Sequence, residues 1–132
     1  MVTTYFLNCI MGNVFGSKTD PQLPQNYYIG LSTTAPSQDG TGATEPADGS
    51  YARVSMDSFS IPNSGVITNS AELAFPDSTT DWGTVTHYVV YDAATNGNLL
   101  IYNTLEKPRI VQSESQVRFN AGTITFTLES AT

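Results

Sequence analysis

Apolar residues along this chain fall first at helical spacing and then at strand spacing. Between Thr3 and Phe15, Phe6, Ile10 and Val14 recur four apart with Leu7 and Met11 beside them, which predicts a short helix. Thr3 or Thr4 can cap it, and Gly16 is placed to end it. Gly12 weakens the helix, and its apolar stripe is wide for so few turns. It therefore needs a partner surface, either the sheet or a neighbouring subunit. Ser17 to Asn26, with Pro21 and Pro24, predicts an extended linker, so residues 1–20 read as a helix and docking arm.

From Tyr27 the period is two. Strand candidates are Tyr27–Thr33, Tyr51–Met56, Phe59–Ile61, Val66–Phe75, Thr84–Tyr91, Asn98–Tyr102, Ile110–Val111, Val117–Phe119 and Thr123–Leu128. Thr84–Tyr91 is apolar or aromatic on both faces, which places it in the middle of the structure. Asp92 followed by Asn96-Gly97 is a hairpin signal. Ala35–Ser50 carries Pro36, Gly40, Gly42, Pro46 and Gly49 and few hydrophobics, so it predicts a long loop that is either functional or mobile. The expected fold is all-β: a β-sandwich or jelly-roll-like domain of seven to eight short strands over residues 27–132, preceded by the helix.

Composition narrows the function classes. The chain has 132 residues, the usual size of one domain, and only 13% are charged. Its net charge of −7 and five Lys and Arg residues oppose binding to nucleic acid or to anionic lipid, both of which rest on basic side chains. No apolar run approaches the roughly 20 residues of a membrane span. The N-terminus has neither a basic region nor an unbroken apolar stretch, so no signal peptide is expected. Cys9, the single cysteine, is expected to be a small core hydrophobe.

Candidate chemistry is sparse. A nucleophilic triad needs a base, and His87 is the single histidine; it lies mid-strand, with no nucleophile elbow elsewhere, and reads as a packed or solvent-facing strand residue. One His and one Cys cannot supply a zinc site. Calcium could be sought at Asp77 and Asp81, or at Asp39, Glu45 and Asp48, but without a calcium-loop motif these read as solvated turn residues. No two of the twelve acidic residues stand out as a glycosidase pair. The expectation is no catalytic residue, no metal and no cofactor. Trp82, Tyr88, Tyr91 and Tyr102 could form a sugar-stacking platform, with Tyr88 and Tyr102 the candidates to face a ligand.

One string is more specific. DWGTVTHYVVYDAATNGNLLIY (Asp81–Tyr102) resembles the signature of a family of small virion proteins of tailed bacteriophages, many of them labelled tail-fibre proteins. YIGLSTTAP (Tyr28–Pro36), Glu45, SYARV (Ser50–Val54), AFP (Ala74–Pro76) and AGTITFTL (Ala121–Leu128) occur in the same order. The resemblance implies a non-enzymatic structural component on the virion exterior, with capsid decoration or cement proteins of similar size as the close alternative to tail fibres. It implies assembly with copies of itself, as a trimer or another symmetric oligomer, and with major capsid or tail proteins; a host-surface glycan is the alternative partner. Architectural roles are then expected for Phe6, Ile10 and Val14 in docking. Trp82 and Gly83 would anchor entry to the central strand, Gly83 by allowing close backbone approach. Asp92 and Gly97 would shape the hairpin, and Arg53 would pair with a carboxylate.

Overall fold

A computed structural model describes residues 2–16, 24–56, 59–63 and 66–127. It is all-β with one short helix, α1 (Thr4–Phe15), at the N-terminus. The expected linker over Ser17–Asn26 lies mostly outside the described residues, as does Leu128. Nine strands are described: β1 (Tyr28–Ser32), β2 (Val54–Ser55), β3 (Phe59–Asn63), β4 (Val66–Asn69), β5 (Leu73–Ala74), β6 (Gly83–Tyr91), β7 (Leu99–Val111), β8 (Arg118–Phe119) and β9 (Thr125–Thr127). They form three antiparallel sheets, in the orders β2-β1-β6-β7, β3-β4-β9 and β5-β8.

The run that is apolar on both faces is a central strand, as its pattern requires. β6 pairs with β1 on one side and β7 on the other, and both of its faces are covered. Val85, Tyr88 and Val90 join the main core with Ile29, Leu31, Phe75, Leu100 and Ile124. Val89 joins a smaller cluster with Leu99 and Tyr102, against which Ala43 and Tyr91 pack. Ala43 belongs to the long loop, so that loop covers one side of the sheet.

Two boundaries differ from the sequence expectation. Val66–Phe75 is not one strand but two, β4 and β5. The cause is Asn69, whose buried side chain donates to the carbonyls of Ala71 (2.8 Å) and Asn120 (3.1 Å) and accepts from the Ile124 amide (3.0 Å). An Asn that satisfies neighbouring backbone groups in this way offers the chain a turn in place of a ladder. Conversely, Asn98–Tyr102 and Ile110–Val111 belong to one long strand, β7. Its middle, Asn103–Arg109, is polar and contains Pro108, which hides it from a search for alternating hydrophobics. Pro is tolerated there because β7 is an edge strand whose register with β6 is irregular between Val85 and His87.

The helix begins where its sequence says. The Thr3 hydroxyl accepts from the Phe6 amide (3.3 Å) as N-cap. Thr3 also ties the helix to the sheet, because its hydroxyl donates to the Leu99 carbonyl (2.7 Å) and its amide to the Leu100 carbonyl (2.9 Å). Val2 forms an antiparallel bridge with Ile101, and the Thr4 amide reaches the Gln38 carbonyl (2.9 Å). Phe6 and Cys9 are buried against the core, and Tyr5 and Ile10 pack partly against it.

Replacing Asn69 with Ala removes three hydrogen bonds and leaves the buried Ile124 amide without its acceptor, while the Asn120 carbonyl keeps the Thr123 amide and hydroxyl. The expected cost is about 2–3 kcal/mol of unfolding free energy, read as a lower urea midpoint with an unchanged slope.

Candidate functional site

Of the residues singled out in the sequence, Arg53, Trp82, Asp92 and Gly97 lie at or beside one polar node at the edge of the sheet, and Val14 lies on the outward face of α1; the others lie elsewhere. The node is built around Arg53. In the extended segment before β2, Tyr51 and Arg53 project to the same side because strand side chains alternate. Arg53 makes a two-pronged contact with Glu45, Nη2 to Oε1 at 2.7 Å and Nε to Oε2 at 3.1 Å. Its Nη1 donates to the carbonyls of Ala93 and Asn96, both at 2.7 Å, and its guanidinium carbon lies 3.6 Å from the centre of the Tyr91 ring. The Tyr51 hydroxyl donates to Glu45 Oε2 (2.5 Å) and accepts from the Leu31 amide (3.0 Å). Arg53 therefore joins the long loop to the β6–β7 connection, and Tyr51 ties the same carboxylate to strand β1. The carboxylate partner expected for it is present within the fold.

Burial sets the electrostatics. The Arg53 side chain is only 7% exposed and that of Glu45 23%, so the pair is weakly screened. Burial, followed by the hydrogen bond to Glu45, pushes the Tyr51 hydroxyl well above its ordinary range, so Tyr51 stays a donor.

A second carboxylate, Asp48, works beside the first. It accepts from the Thr79 hydroxyl and from the amides of Thr79 (2.6 Å), Thr80 (3.0 Å) and Ser50 (3.0 Å). The Trp82 indole N–H completes the set at 2.9 Å. The Thr79 hydroxyl hydrogen bond is the largest of several that hold the Asp48 carboxyl far below the usual carboxylate range, against a smaller opposing effect of desolvation. Asp48 is thus not the solvated turn residue expected, and Glu45 is not either: donors of the fold itself occupy both carboxylates. Among the described residues no cluster of His, Cys, Asp or Glu could hold a metal ion. Trp82 is buried, and its ring meets Tyr51 edge-on at 5.4 Å, while Tyr51 stacks with Phe75 at 6.3 Å.

The glycines and the hairpin have specific reasons. Gly83 was expected to permit close backbone approach, but a Cβ there would meet nothing within 4 Å; glycine is required by its φ of +82°. At Gly97 both reasons hold, since φ is +78° and a Cβ would lie 2.5 Å from Asp92 Oδ1. Asp92 accepts from the Asn98 amide (2.8 Å) and side chain (3.1 Å), which closes the β6–β7 connection. The sequence reading missed Gly30, where a Cβ would fall 2.6 Å from the Tyr51 hydroxyl and 2.9 Å from Glu45 Oε2. A glycine inside a strand pattern is the signal that could have revealed it.

The aromatics do not form an exposed platform: Tyr88 is 4% exposed and Tyr102 8%, each packed in a hydrophobic cluster of the sheet, although Tyr88 is among the residues lining a cleft beside β7. The Tyr88 hydroxyl donates to the Thr125 carbonyl (2.7 Å), and burial pushes it up to about 12. His87 lies in the strand with its Nδ1 2.7 Å from the Thr86 hydroxyl, and partial burial lowers its pKa. The docking stripe is also redistributed. Phe6 is buried and Ile10 half-buried, but Val14 lies outside the packed face at 56% exposure. With it, Leu7 (44%), Met11 (58%) and Phe15 (85%) form a second apolar face toward solvent.

The fold is an antiparallel β scaffold, tied internally by charged side chains and displaying an apolar helix face. The match to known families is specific: residues 1–127 fit the model of the family described as Podophage GP4 fiber I protein gp80, and the chain belongs to that family. No curated protein matches the sequence at a significant level. No helix among the described residues is long and apolar enough to cross a membrane.

Two outcomes test the node. Replacing Glu45 with Gln leaves the Arg53 charge buried without its counter-charge and is expected to cost about 3 kcal/mol. The double replacement Glu45→Leu with Arg53→Met should cost less than the single one in the same denaturation assay. The Asp48 pKa is lower folded than unfolded, so its contribution is complete above the unfolded value, about 3.9, and is lost as pH falls below it. Asp48→Asn should therefore lower stability at pH 7 and flatten the decline in melting temperature between about pH 4 and pH 2.

Proposed function

We propose that this fibre-family chain is a non-enzymatic structural component of the exterior of a tailed-phage particle, acting through association with further copies of itself. The outward face of α1 carries this reading. Leu7, Met11, Val14 and Phe15 recur at i, i+4, i+7 and i+8, so they share one side of the helix. A small protein gains nothing within its own fold from keeping a Phe 85% exposed beside three other apolar side chains.

A second copy of the chain is the occupant that the charge distribution favours. Thr4–Phe15 contains no charged residue, whereas the whole chain carries −7. Copies of an acidic protein repel across their charged surfaces, and an uncharged apolar helix face is where that repulsion is smallest. The same face on each copy can meet itself around a symmetry axis. Attachment of such an oligomer to capsid or tail proteins would give the virion location; a trimer is one closed form of it.

Deleting residues 1–20 would be a poor test, because Thr3, Phe6 and Cys9 belong to the core. The double replacement Met11→Asp with Phe15→Asp charges only the exposed side. Native mass spectrometry and sedimentation should show a symmetric oligomer for the parent and a monomer for the variant, with matching circular dichroism spectra. A parent that stays monomeric would remove the self-association reading.

A further inference from the structure

The geometry points to a binding site for a carboxylate-bearing saccharide in the cleft between β7 and the β8–β9 end of the molecule, a site independent of the self-association face. The cleft has a volume of about 490 Å³, within the roughly 300–1,000 Å³ of small-ligand sites.

Charge is the first observation. Three of the five basic residues, Lys107, Arg109 and Arg118, fall within twelve positions of one another in a chain of net charge −7. Arg118 pairs with Glu72 at 3.5 Å, and Arg53 is spent on Glu45. Lys107 and Arg109 both line the cleft, are exposed, and have no carboxylate partner among the described residues. Glu106 also lines it, so the walls bring two cations against one carboxylate.

Geometry is the second. The register of β7 on β6 jumps from Arg109 opposite Val85 to Thr104 opposite His87, so the intervening residues of β7 bulge. The bulge carries Glu106 and Lys107 into the cleft wall. Arg109 is already positioned, its guanidinium carbon 4.9 Å from the centre of the Phe119 ring and its Nη1 donating to the Arg118 carbonyl (3.3 Å). Most of its donors remain for an incoming carboxylate, which a guanidinium fork binds with two parallel hydrogen bonds. Phe119 and Ile124 give apolar lining, and Thr104, Thr123 and Thr125 add hydroxyl-bearing residues to the walls. Apolar surface against ring C–H groups, hydroxyls against hydroxyls and a cationic pair against a carboxylate are the complement of an acidic sugar.

The same strand argues against a peptide. An extended peptide binds a sheet edge through a continuous backbone ladder. On β7 that ladder is interrupted by the bulge and by Pro108, which has no N–H to offer.

The test is an amide NMR titration of the full chain with a galacturonic acid tetrasaccharide, its neutral galactose counterpart and a hexaglutamate peptide. The acidic saccharide should shift the amides of residues 103–109, 119 and 123–125. Lys107→Gln or Arg109→Gln should weaken it about tenfold, and added salt should weaken it further. The neutral saccharide should bind less tightly than the acidic one. If Arg109→Gln disturbs the fold through Phe119, the exposed Lys107→Gln decides the matter. Unmoved amides, equal affinity of the neutral sugar, unchanged binding in Lys107→Gln, or shifts with hexaglutamate alone would each overturn the proposal, the last in favour of a protein partner. None of these outcomes bears on the oligomeric state, so the two readings fail separately.

Discussion

The buried pairing of Arg53 with Glu45 is the constraint on which the organisation of this molecule depends. The loop from Ala35 to Ser50 has no regular secondary structure, and a segment of that length would sample many conformations if left alone. The carboxylate at its centre is drawn in by a guanidinium and by the Tyr51 hydroxyl, and the same guanidinium holds the carbonyls of Ala93 and Asn96. Desolvating such a pair offsets much of its attraction, so its net contribution to stability is small. What it supplies is position: any other placement of the loop leaves a charge buried and unpaired. Gly30 is the space this arrangement requires in the neighbouring strand.

Asp48 extends that constraint into the core. Its hydrogen bond to the Trp82 indole fixes the residue that enters β6, and Trp82 leads through Tyr51 to Phe75 and Phe119 as a continuous set of ring contacts. The loop is therefore part of the packing of the sheet, with Ala43 over Val89 and Tyr102. Covering the sheet in this way removes Tyr102 from solvent, while Tyr88 is buried in the main core. A surface reading based on strand aromatics fails at Tyr102 because a loop with few hydrophobics, closed by polar side chains, performs the burial.

How far the sequence could be read follows from which interactions are local. The helix, its Thr3 cap and the central position of β6 depend on spacing within one segment, and each was legible. The carboxylate partner of Arg53 was legible as a need, from one Arg in an acidic chain, but not as Glu45, because a bridge across a loop leaves no periodic trace. The break at Asn69 was hidden because its partners include Asn120 and Ile124, distant in sequence. The continuity of β7 was hidden by Pro108 and its charged neighbours, which only an edge strand accepts. Val14 was placed on the docking stripe because a four-residue spacing drifts around a helix of 3.6 residues per turn. Phe6 and Cys9 face the core, while Val14 has turned away from it.

These assignments leave an acidic protein with two surfaces that are not acidic. Most of its basic residues are consumed or clustered: Arg53 is internal, and Lys107, Arg109 and Arg118 lie together at one end of the sheet system. The helix face has no charge at all. A uniformly negative surface keeps copies of a protein apart and repels acidic ligands, so contact is directed to the places where that charge is missing or reversed. The apolar helix face offers area and no charge, which suits a permanent contact between identical copies. The β7 cleft offers cations and hydroxyls around a shallow apolar lining, which suits a polar ligand that is bound and released. Because Val2 and Thr3 bind the start of β7 on the outer side and the cleft is formed by its later residues, the two surfaces share one strand as their support. β7, paired with β6 on either side of its bulge, is what would let a small protein serve both contacts without either displacing the other.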